Sequence, residues 1–561
     1  MQTYRDVIET LRQHHFIDPD GSNLADFETL LSTALRVAHA HQGSGPVYGS
    51  APLTPLPVEG RPSLSLPMQA SGDLRGDMQA LPRHLNGSVK SNHPRLVKNV
   101  LPTPSQTYLS SYVAASVYMG NGVTAEDAGN AGLAELQMAR FYADLAGYDI
   151  RQAGGLFTFG GTGVTLYAFR MGIEVADPGY AYNGPGHDLV IVGSKPAHFC
   201  QPTAVSWLGL GRKAYVAARA LEDQSTDLVD MEAVCRAQIE AGKRIACIAG
   251  VGGTTSCMAI DDFKAMSEMI DRLVADYNLD YRPWLHSDSV IGWAYLYFNL
   301  YDFAANPLGF TPRVLDKLLQ IHARIETLKY ADSFGLDFHK TGYTAYNSSM
   351  IICRDRAPLL ALGKHHGVAT YLFHDETAYR PGTFTLETSR SSANMVATLL
   401  TVSSLGAEGF QSLLGHAQEM ALTMKDHVAG IGGEFLVVNP DTLGSDVYVR
   451  AYPPGLNGAE TYAQEAADTA LRTQIDRYND ALFDFLITQY AFGPNAVGVG
   501  KCSVVFTAKE GHPVVGLRFY ILNPYMSAGA ACELIDLVVL AKDAFDGRNT
   551  APADRAMQAS A

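Results

Sequence analysis

A histidine and a lysine stand side by side at the end of a mostly apolar, strand-like run. The run covers residues 330–340 and ends on His339 and Lys340. A lysine that closes an apolar segment loses hydration, which lowers its pKa and leaves more of the free amine that attacks a carbonyl. The segment is therefore a candidate for a Schiff-base lysine at Lys340. The alternative is a lysine that only extends its amine from a strand end into water.

A glycine-rich turn joins another apolar run to a helical pattern. It contains Gly160, Gly161 and Thr162. The backbone N–H groups of such a turn, the positive end of the helix and the threonine hydroxyl suit a phosphate. The turn matches neither a Walker A motif nor a G-x-G-x-x-G fingerprint, and an ordinary turn is the alternative.

Three further polar residues follow predicted strands. Asp288 is expected at the end of an inner strand, where a carboxylate needs a cation or a hydrogen-bond donor, such as a protonated pyridine nitrogen. His198 lies in a loop and can stack on an aromatic ring, and Thr255 belongs to a Gly-Gly-Thr-Thr turn. Each residue alone has an ordinary interpretation, as a helix cap, a structural histidine or a turn residue.

Taken together, these segments match the needs of pyridoxal 5'-phosphate (PLP). The glycine turn would anchor its phosphate, the histidine would cover its ring, the aspartate would face its ring nitrogen and the lysine would bind its aldehyde. The sequence therefore predicts a PLP site and no metal site.

The elements that must position these residues are alternating apolar runs and helical stretches between residues 154 and 353. Continuous apolar segments at 189–193 and 245–249 are typical of strands that are covered on both faces. Such alternation predicts a mostly parallel sheet in an α/β domain, with the site at the carboxyl ends of the strands. Later apolar runs predict a smaller antiparallel sheet; they are 435–438, 447–449, 502–506 and 514–520.

The predicted organisation has four parts. Residues 1–104 form an N-terminal helical and wrapping segment with dimer contacts, and residues 105–400 form the large PLP-binding α/β domain. Residues 401–546 form a small C-terminal α+β domain, and residues 547–561 form a disordered tail.

Composition excludes several classes of protein. A formal net charge of -15 argues against a general nucleic-acid binder. The seven cysteines are scattered without metal-ligand spacing, which predicts reduced thiols in a cytoplasmic protein. No apolar run is long enough to predict a membrane span, and the first residues read as an amphipathic helix and not as a signal peptide.

At this point the motifs resemble those of the group II PLP-dependent amino-acid decarboxylases, which include aromatic-amino-acid, tyrosine, glutamate and histidine members. The run Ala331-Asp332-Ser333 to His339-Lys340 is similar to the family's A-D-S…(N/D)-P-H-K signature. The other matches are His286-Ser287-Asp288-Ser289 with H-V-D-A, Gly253-Thr254-Thr255 with G-T-T, Ala197-His198-Phe199 with A-H-x, and Gly160-Gly161-Thr162 with G-G-(S/T). The resemblance implies the PLP-dependent transferase fold type I, which is aspartate aminotransferase-like.

The resemblance also implies a role for each matched residue. Lys340 would bind the cofactor aldehyde, Asp288 would pair with the ring nitrogen and His198 would stack on the ring. The residues implied near the phosphate and the 3'-oxygen are Gly161, Thr162, His339 and Thr255.

Two later segments are similar to family motifs as well. Residues 369–374 resemble the mobile loop T-Y-L-x-H, whose tyrosine donates the proton to the substrate α-carbon, so Tyr371 is the candidate acid. Arg390, in a Ser-Arg motif, is either a substrate-carboxylate or a structural arginine. Two residues depart from the family pattern: Ser289 replaces an alanine and Phe338 replaces a proline.

The implied function is decarboxylation of an L-amino acid to an amine and CO2 through an external aldimine and a quinonoid. An aromatic or other neutral substrate is favoured by the Tyr371 loop and by an aromatic insertion that contains Tyr295, Tyr297, Phe298 and Tyr301. Family members are intertwined homodimers with shared active sites. The alternatives are an aldehyde synthase, an aminotransferase and a catalytically silent homologue that acts as a binding subunit.

Overall fold

The computed structural model describes residues 15–17, 19–42, 47, 69–85, 87–363, 379–490, 493, 495–507 and 512–550. The chain divides into two compact units. One consists of residues 1–96, 481–498 and 536–561, and the other of residues 97–480 and 499–535. Helices α1 to α3 lie in the first unit, and both β-sheets lie in the second.

The strands are β1 (Gly154–Thr158), β2 (Leu189–Ser194), β3 (Tyr215–Ala218), β4 (Arg244–Val251), β5 (Trp284–Asp288), β6 (Ser333–Asp337), β7 (Ser349–Cys353), β8 (Phe435–Val437), β9 (Asp446–Ala451), β10 (Gly500–Thr507) and β11 (His512–Tyr520). The helices are α1 (Leu24–Gln42), α2 (Leu74–Met78), α3 (Leu81–Leu85), α4 (Gln106–Ser116), α5 (Ala125–Ala128), α6 (Ala131–Leu145), α7 (Gly161–Ala176), α8 (Tyr180–Asn183), α9 (Cys200–Trp207), α10 (Leu228–Glu240), α11 (Phe263–Tyr277), α12 (Pro312–Ile325), α13 (Phe338–Thr341), α14 (Ala357–Ala361), α15 (Ser392–Ile431), α16 (Gly458–Glu465), α17 (Thr469–Phe485) and α18 (Ala528–Thr550). Short 3-10 segments lie at Arg212–Ala214, Gly292–Leu300, Glu326–Tyr330 and Pro381–Thr383, and a π-helical turn lies at Leu486–Tyr490.

The larger sheet has seven strands in the order β1-β7-β6-β5-β4-β2-β3. The pairs from β3 through β6 are parallel, and β7 runs antiparallel to both β6 and β1. Every residue of β2 is buried, and so is every residue of β4 after Arg244, as expected for strands covered on both faces. The predicted mostly parallel sheet is therefore confirmed.

Side-chain caps set the first residue of the helices that connect the parallel strands. The Asp227 side chain accepts hydrogen bonds at the start of α10, and Asp262 does so at the start of α11. Thr311 caps α12, whose first residue is Pro312. These helices carry the chain back so that successive strands of the sheet run parallel.

Six of the seven strands of the larger sheet point the same way, all except β7, so their carboxyl ends share one edge. Residues 160–162 follow β1, His198 follows β2, Thr255 follows β4, Asp288 ends β5 and Lys340 follows β6. The topology therefore brings the segments singled out by their chemistry to one edge of one sheet.

The run that ends at Lys340 is a strand only as far as Asp337. Residues 338–341 instead form the short helix α13. The strand expected to run to the His-Lys pair is therefore shorter than predicted. The helical turn matters because it brings residues three apart onto one face, so Lys340 lies back over Asp337.

The aromatic insertion after Asp288 forms the 3-10 segment Gly292–Leu300, whose side chains pack into the core. The Tyr297 ring stacks on Phe410 with centroids 4.3 Å apart, and the Trp293 ring meets Phe338 edge-on at 5.0 Å. The hydroxyls of Tyr297 and Tyr142 are 2.9 Å apart. The insertion therefore packs in the core against Phe338, the first residue of the turn that carries Lys340.

The smaller sheet has four antiparallel strands in the order β10-β11-β9-β8. It confirms the sheet predicted from the later apolar runs. No helix of the described residues is long and apolar enough to cross a membrane. The predicted four-part division of the chain and the disordered tail stay predictions.

An ion pair is buried beside the smaller sheet. The Arg450 guanidinium of β9 binds the Glu465 carboxylate, and neither side chain has exposed surface. Arg450 Nη1 also lies 2.8 Å from the Oδ1 atom of Asp476. Removing one member of such a pair leaves an uncompensated buried charge.

We expect Arg450→Met to lower the free energy of unfolding by about 3–5 kcal/mol, because Glu465 loses its cation in a dry site. The matched control is Arg313→Met, which breaks the exposed pair between Arg313 and Asp426 and should cost about 1 kcal/mol or less. Urea unfolding followed by circular dichroism measures both changes. Equal stability of the two variants would contradict the prediction.

Candidate active site

A cavity of about 210 Å3 lies at the edge where the parallel strands end. Its lining contains seven of the residues predicted from the sequence: Gly161, Thr162, His198, Thr255, Asp288, His339 and Lys340. Tyr371 lies outside the described residues. The tertiary structure thus brings together segments that are up to 179 positions apart in the chain.

The Lys340 amine pairs with the carboxylate of Asp337, with 3.0 Å between Nζ and Oδ2. Burial lowers the pKa of Lys340, but Asp337, through its charge and hydrogen bond, together with Asp288 and Tyr346 raises this pKa above its ordinary value. The lowered pKa expected from the apolar run is therefore wrong for this arrangement. The physical reason is the turn of α13, which places a carboxylate three residues before the lysine.

Asp337 is itself held from two sides. Its Oδ1 atom accepts a hydrogen bond of 2.6 Å from the Ser349 hydroxyl, and its Oδ2 atom lies 3.5 Å from His339 Nε2. Asp337 is not among the site residues predicted from the sequence, although it occupies the N/D position of the family signature. Its spacing from Lys340 is the signal that could have identified it.

His339 is buried next to the lysine. Its Nδ1 atom lies 2.9 Å from the carbonyl oxygen and 3.3 Å from the backbone nitrogen of Ser348, so this residue holds the ring in place. Burial lowers the pKa of His339, although Asp337 opposes the shift. The Tyr346 ring packs on the imidazole at a centroid distance of 4.4 Å and also lines the cavity.

Asp288 is the last residue of β5 and is almost fully buried. Its Oδ2 atom accepts a hydrogen bond of 3.2 Å from the Gln201 amide. This partner is neutral, so the carboxylate keeps its negative charge uncancelled by a bound cation. Such a group can face a protonated ring nitrogen in the cavity.

His198 lines the cavity just before α9. The backbone N–H of Cys200 donates to His198 Nδ1 over 3.2 Å, so in the neutral imidazole the proton is on Nε2. Loss of hydration lowers the pKa of His198, although the Asp288 carboxylate opposes the shift. A neutral imidazole in this position is suited to lie against an aromatic ring.

Burial also raises the pKa of the neighbouring Cys200 to about 12, so this group is a thiol and not a thiolate nucleophile.

The start of α7 forms a cradle of backbone N–H groups at the cavity. Its N-cap residue is Gly160, with a φ of 112° that favours glycine, and no side chain caps the helix. A Cβ atom at Gly161 would lie 2.8 Å from Asp337 Oδ2, so glycine is also needed for this close approach. The first-turn N–H groups and the Thr162 hydroxyl are arranged as an anion site.

The turn that contains Thr255 is fixed by its neighbour. The Thr254 hydroxyl oxygen accepts a hydrogen bond of 3.0 Å from the N–H of Ala259. The N–H of Cys257 donates to the buried Asp446 carboxylate of β9 over 3.0 Å. Thr255 itself lines the cavity.

Arg390 does not line the cavity. Its guanidinium binds the buried Glu135 carboxylate and donates to the carbonyl oxygens of Gly122 and Phe157 over 2.8 and 3.1 Å. Of the two alternatives, substrate-carboxylate or structural arginine, these contacts favour the structural one within this chain.

The two departures from the family pattern have local explanations. The backbone N–H of Phe338 donates to the Ser348 carbonyl over 2.9 Å, a bond that proline could not make. The Ser289 hydroxyl pairs with that of Ser287 at 2.5 Å, so its burial leaves no unpaired hydroxyl. Both residues are fully buried.

The cavity fits PLP in the chemistry of its groups. An amine, a helix N-terminus with two glycines, a buried carboxylate and a neutral imidazole surround one space. Such groups suit the aldehyde, phosphate, pyridine nitrogen and ring face of PLP.

Comparisons with known proteins agree with this fit. The family model described as the pyridoxal-dependent decarboxylase conserved domain matches residues 314–447. The L-2,4-diaminobutyrate decarboxylase of Acinetobacter baumannii is 24% identical over 461 residues, which is 78% of this chain and 82% of that protein.

Solved structures show the same fold. TDC of Oryza sativa, crystallised with PLP and tryptamine, has a TM-score of 0.75 at 17% identity, with 94% of this chain and 99% of that chain covered. Mouse CSAD has a TM-score of 0.73 at 17% identity, with 92% and 99% covered. The expected fold type I is therefore confirmed. The family model matches residues 314–447 and the relative aligns over most of both chains, so this chain is similar in sequence to PLP-dependent amino-acid decarboxylases.

Proposed function

We propose that this chain removes the carboxylate of a neutral L-amino acid, aromatic ones included, to give an amine and CO2. The observation that carries the proposal is the grouping of Lys340, Asp288 and His198 around one cavity. Lys340 is the cofactor-binding amine, Asp288 the partner of the ring nitrogen and His198 the residue that covers the ring.

PLP, when bound, supplies an aldehyde for the substrate amine and a ring that withdraws electrons from the bond that breaks. Asp288 holds the proton on the ring nitrogen, because an uncancelled buried carboxylate favours a nearby cation. Asp337 holds the Lys340 amine at the cavity, 3.0 Å from its own carboxylate. Gly161, Thr162 and His339 would hold the phosphate, and Thr255 would lie near the 3'-oxygen; all four residues line the cavity. Tyr371 is the proposed acid at the substrate α-carbon.

The neutral substrate class rests on the charges around the cavity. Among the described lining residues Lys340 is the one lysine and there is no arginine, so an acidic side chain has no second strong cation to meet. In this proposal Asp288 faces the ring nitrogen and Asp337 pairs with Lys340, so no carboxylate among the described lining residues is left for a cationic substrate side chain. The aromatic insertion gives no support for a substrate type, because its rings are in the core.

We also propose a homodimer with shared active sites, which light scattering would test.

The proposal as a whole is tested by reduction and by product analysis. Borohydride treatment of the PLP-loaded protein, followed by peptide mapping, should place the reduced tag on Lys340. A screen of the twenty amino acids should release CO2 and an amine from a neutral substrate. A keto acid, or an aldehyde with ammonia, would indicate an aminotransferase or an aldehyde synthase. A colourless protein after reconstitution would indicate a silent homologue.

We expect Asp288→Ala to retain bound PLP but to lower kcat by about 10²-fold or more, because a preorganised charge next to the ring is lost. The visible absorbance of bound PLP reports retention, and CO2 release reports kcat. Asp149→Ala is the control, because it removes a partly exposed carboxylate that is not among the described cavity-lining residues. Normal decarboxylation by Asp288→Ala would show that the assignment is wrong.

We expect Asp337→Asn to lower the pKa of Lys340, because its main raising charge is removed while burial remains. The free amine then forms at lower pH. The rate at which PLP attaches to the apoprotein, measured by absorbance across pH, should rise at lower pH than in the unmodified protein. Asp288 and Tyr346 also face the amine and are unchanged. An unchanged profile, or a shift to higher pH, would contradict the role of Asp337.

A further inference from the structure

A chain of hydrogen bonds leads away from Asp288 on the side of Gln201. Gln201 Nε2 donates to Asp288 Oδ2 over 3.2 Å, and Gln201 Oε1 accepts from the Tyr215 hydroxyl over 2.9 Å. Gln201 has no exposed surface. The three residues come from α9, β3 and the end of β5, so no sequence pattern links them.

The chemistry of the three groups allows one arrangement. A carboxylate only accepts, so the amide must present its N–H to Asp288 and its oxygen away from it. The Tyr215 hydroxyl donates to that oxygen at 2.9 Å, and the Ser194 carbonyl oxygen lies farther from it, at 3.4 Å. A reversed amide would place two acceptor oxygens against each other in a buried site, which is costly. Asp288 therefore fixes which end of Gln201 faces it, and Tyr215 holds the other end of the amide in place.

The tyrosine fits because residue 193 of β2 has no side chain. A Cβ atom at Gly193 would lie 2.1 Å from the Tyr215 hydroxyl oxygen and 2.6 Å from Cζ. Real Cβ atoms do not approach so closely, so glycine at 193 is explained by room for the phenol. Burial also raises the pKa of Tyr215, so the hydroxyl keeps the proton that it donates.

We propose that Gln201 and Tyr215 are positioning residues that hold one oxygen of Asp288 and leave its other oxygen to the PLP ring nitrogen. The inference rests on the role of Asp288 given under the proposed function. A neutral amide is suited to this task, since it orients the carboxylate without cancelling the charge that the ring nitrogen needs. An arginine or lysine here would compete with the ring for that charge.

The test compares Gln201→Met, Tyr215→Phe and their double variant with the unmodified protein. The readouts are the dissociation constant of PLP and the pH titration of the visible absorbance of bound PLP. Gln201→Met should weaken PLP binding about tenfold, the value of one hydrogen bond to a charged group, and Tyr215→Phe about threefold. Both variants should shift the absorbance titration in the same direction as Asp288→Asn.

The double variant separates positioning from general stability. Because Tyr215 acts through Gln201, the double variant should bind PLP no more weakly than Gln201→Met alone. The control is Tyr180→Phe, which removes a hydroxyl that donates to Leu208 O over 2.9 Å next to α9 but has no link to Asp288. It should leave both readouts unchanged.

The outcomes distinguish this inference from the proposed function. If Asp288→Asn alters PLP binding and absorbance while Gln201→Met and Tyr215→Phe do not, the inference is wrong and the role of Asp288 stands. If Asp288→Asn alters neither readout, both are wrong. Additive losses in the double variant, or equal losses in Tyr180→Phe, would overturn the coupling through Gln201. Altered readouts without CO2 release would support the inference and refute decarboxylation.

Discussion

Two buried carboxylates and one amine share the edge of the sheet where the parallel strands end, and charges in such a place must be paired or hydrogen-bonded. Asp337 meets this requirement with the Lys340 amine at 3.0 Å. Asp288 meets it with a neutral amide at 3.2 Å. The two carboxylates therefore have different roles. Asp337 holds the amine, whereas Asp288 has no cation bound to it. A cofactor with an aldehyde and a basic ring nitrogen uses both.

The same edge depends on packing that has no polar role. Phe338 lies between Asp337 and the His-Lys pair in sequence, yet its ring points into an aromatic core with Trp293, Tyr142 and Phe157. This anchor fixes the start of α13, and with it the position of the Lys340 amine. The aromatic insertion is thus explained as structural support, and the aromatic residues that suggested a substrate type are accounted for without one.

Residues of the smaller sheet also reach the turn beside the cavity. Asp446 of β9 holds the N–H of Cys257, whose φ is 75°, a conformation that is uncommon for a residue other than glycine. The fixed turn carries Thr255 at the cavity lining. The small antiparallel sheet therefore contributes to the shape of a site whose described charged groups lie on, or directly after, strands of the larger sheet.

The sequence by itself determined which segments form the inner strands, because the apolar runs at 189–193 and 245–249 must be covered on both faces. Polar residues directly after such runs then had to meet at one edge of the sheet. It also determined the candidate residues, because Asp288, His198 and Lys340 each follow or end a parallel strand and therefore lie at the edge where such strands end. Only the tertiary structure decided the sign of the Lys340 pKa shift, the structural contacts of Arg390 and the partner of Asp288. These depend on groups such as Glu135, Gln201 and Tyr215, which are distant in sequence or on other elements. Local pattern cannot show them, since electrostatic and hydrogen-bond partners are set by distance in space and not along the chain.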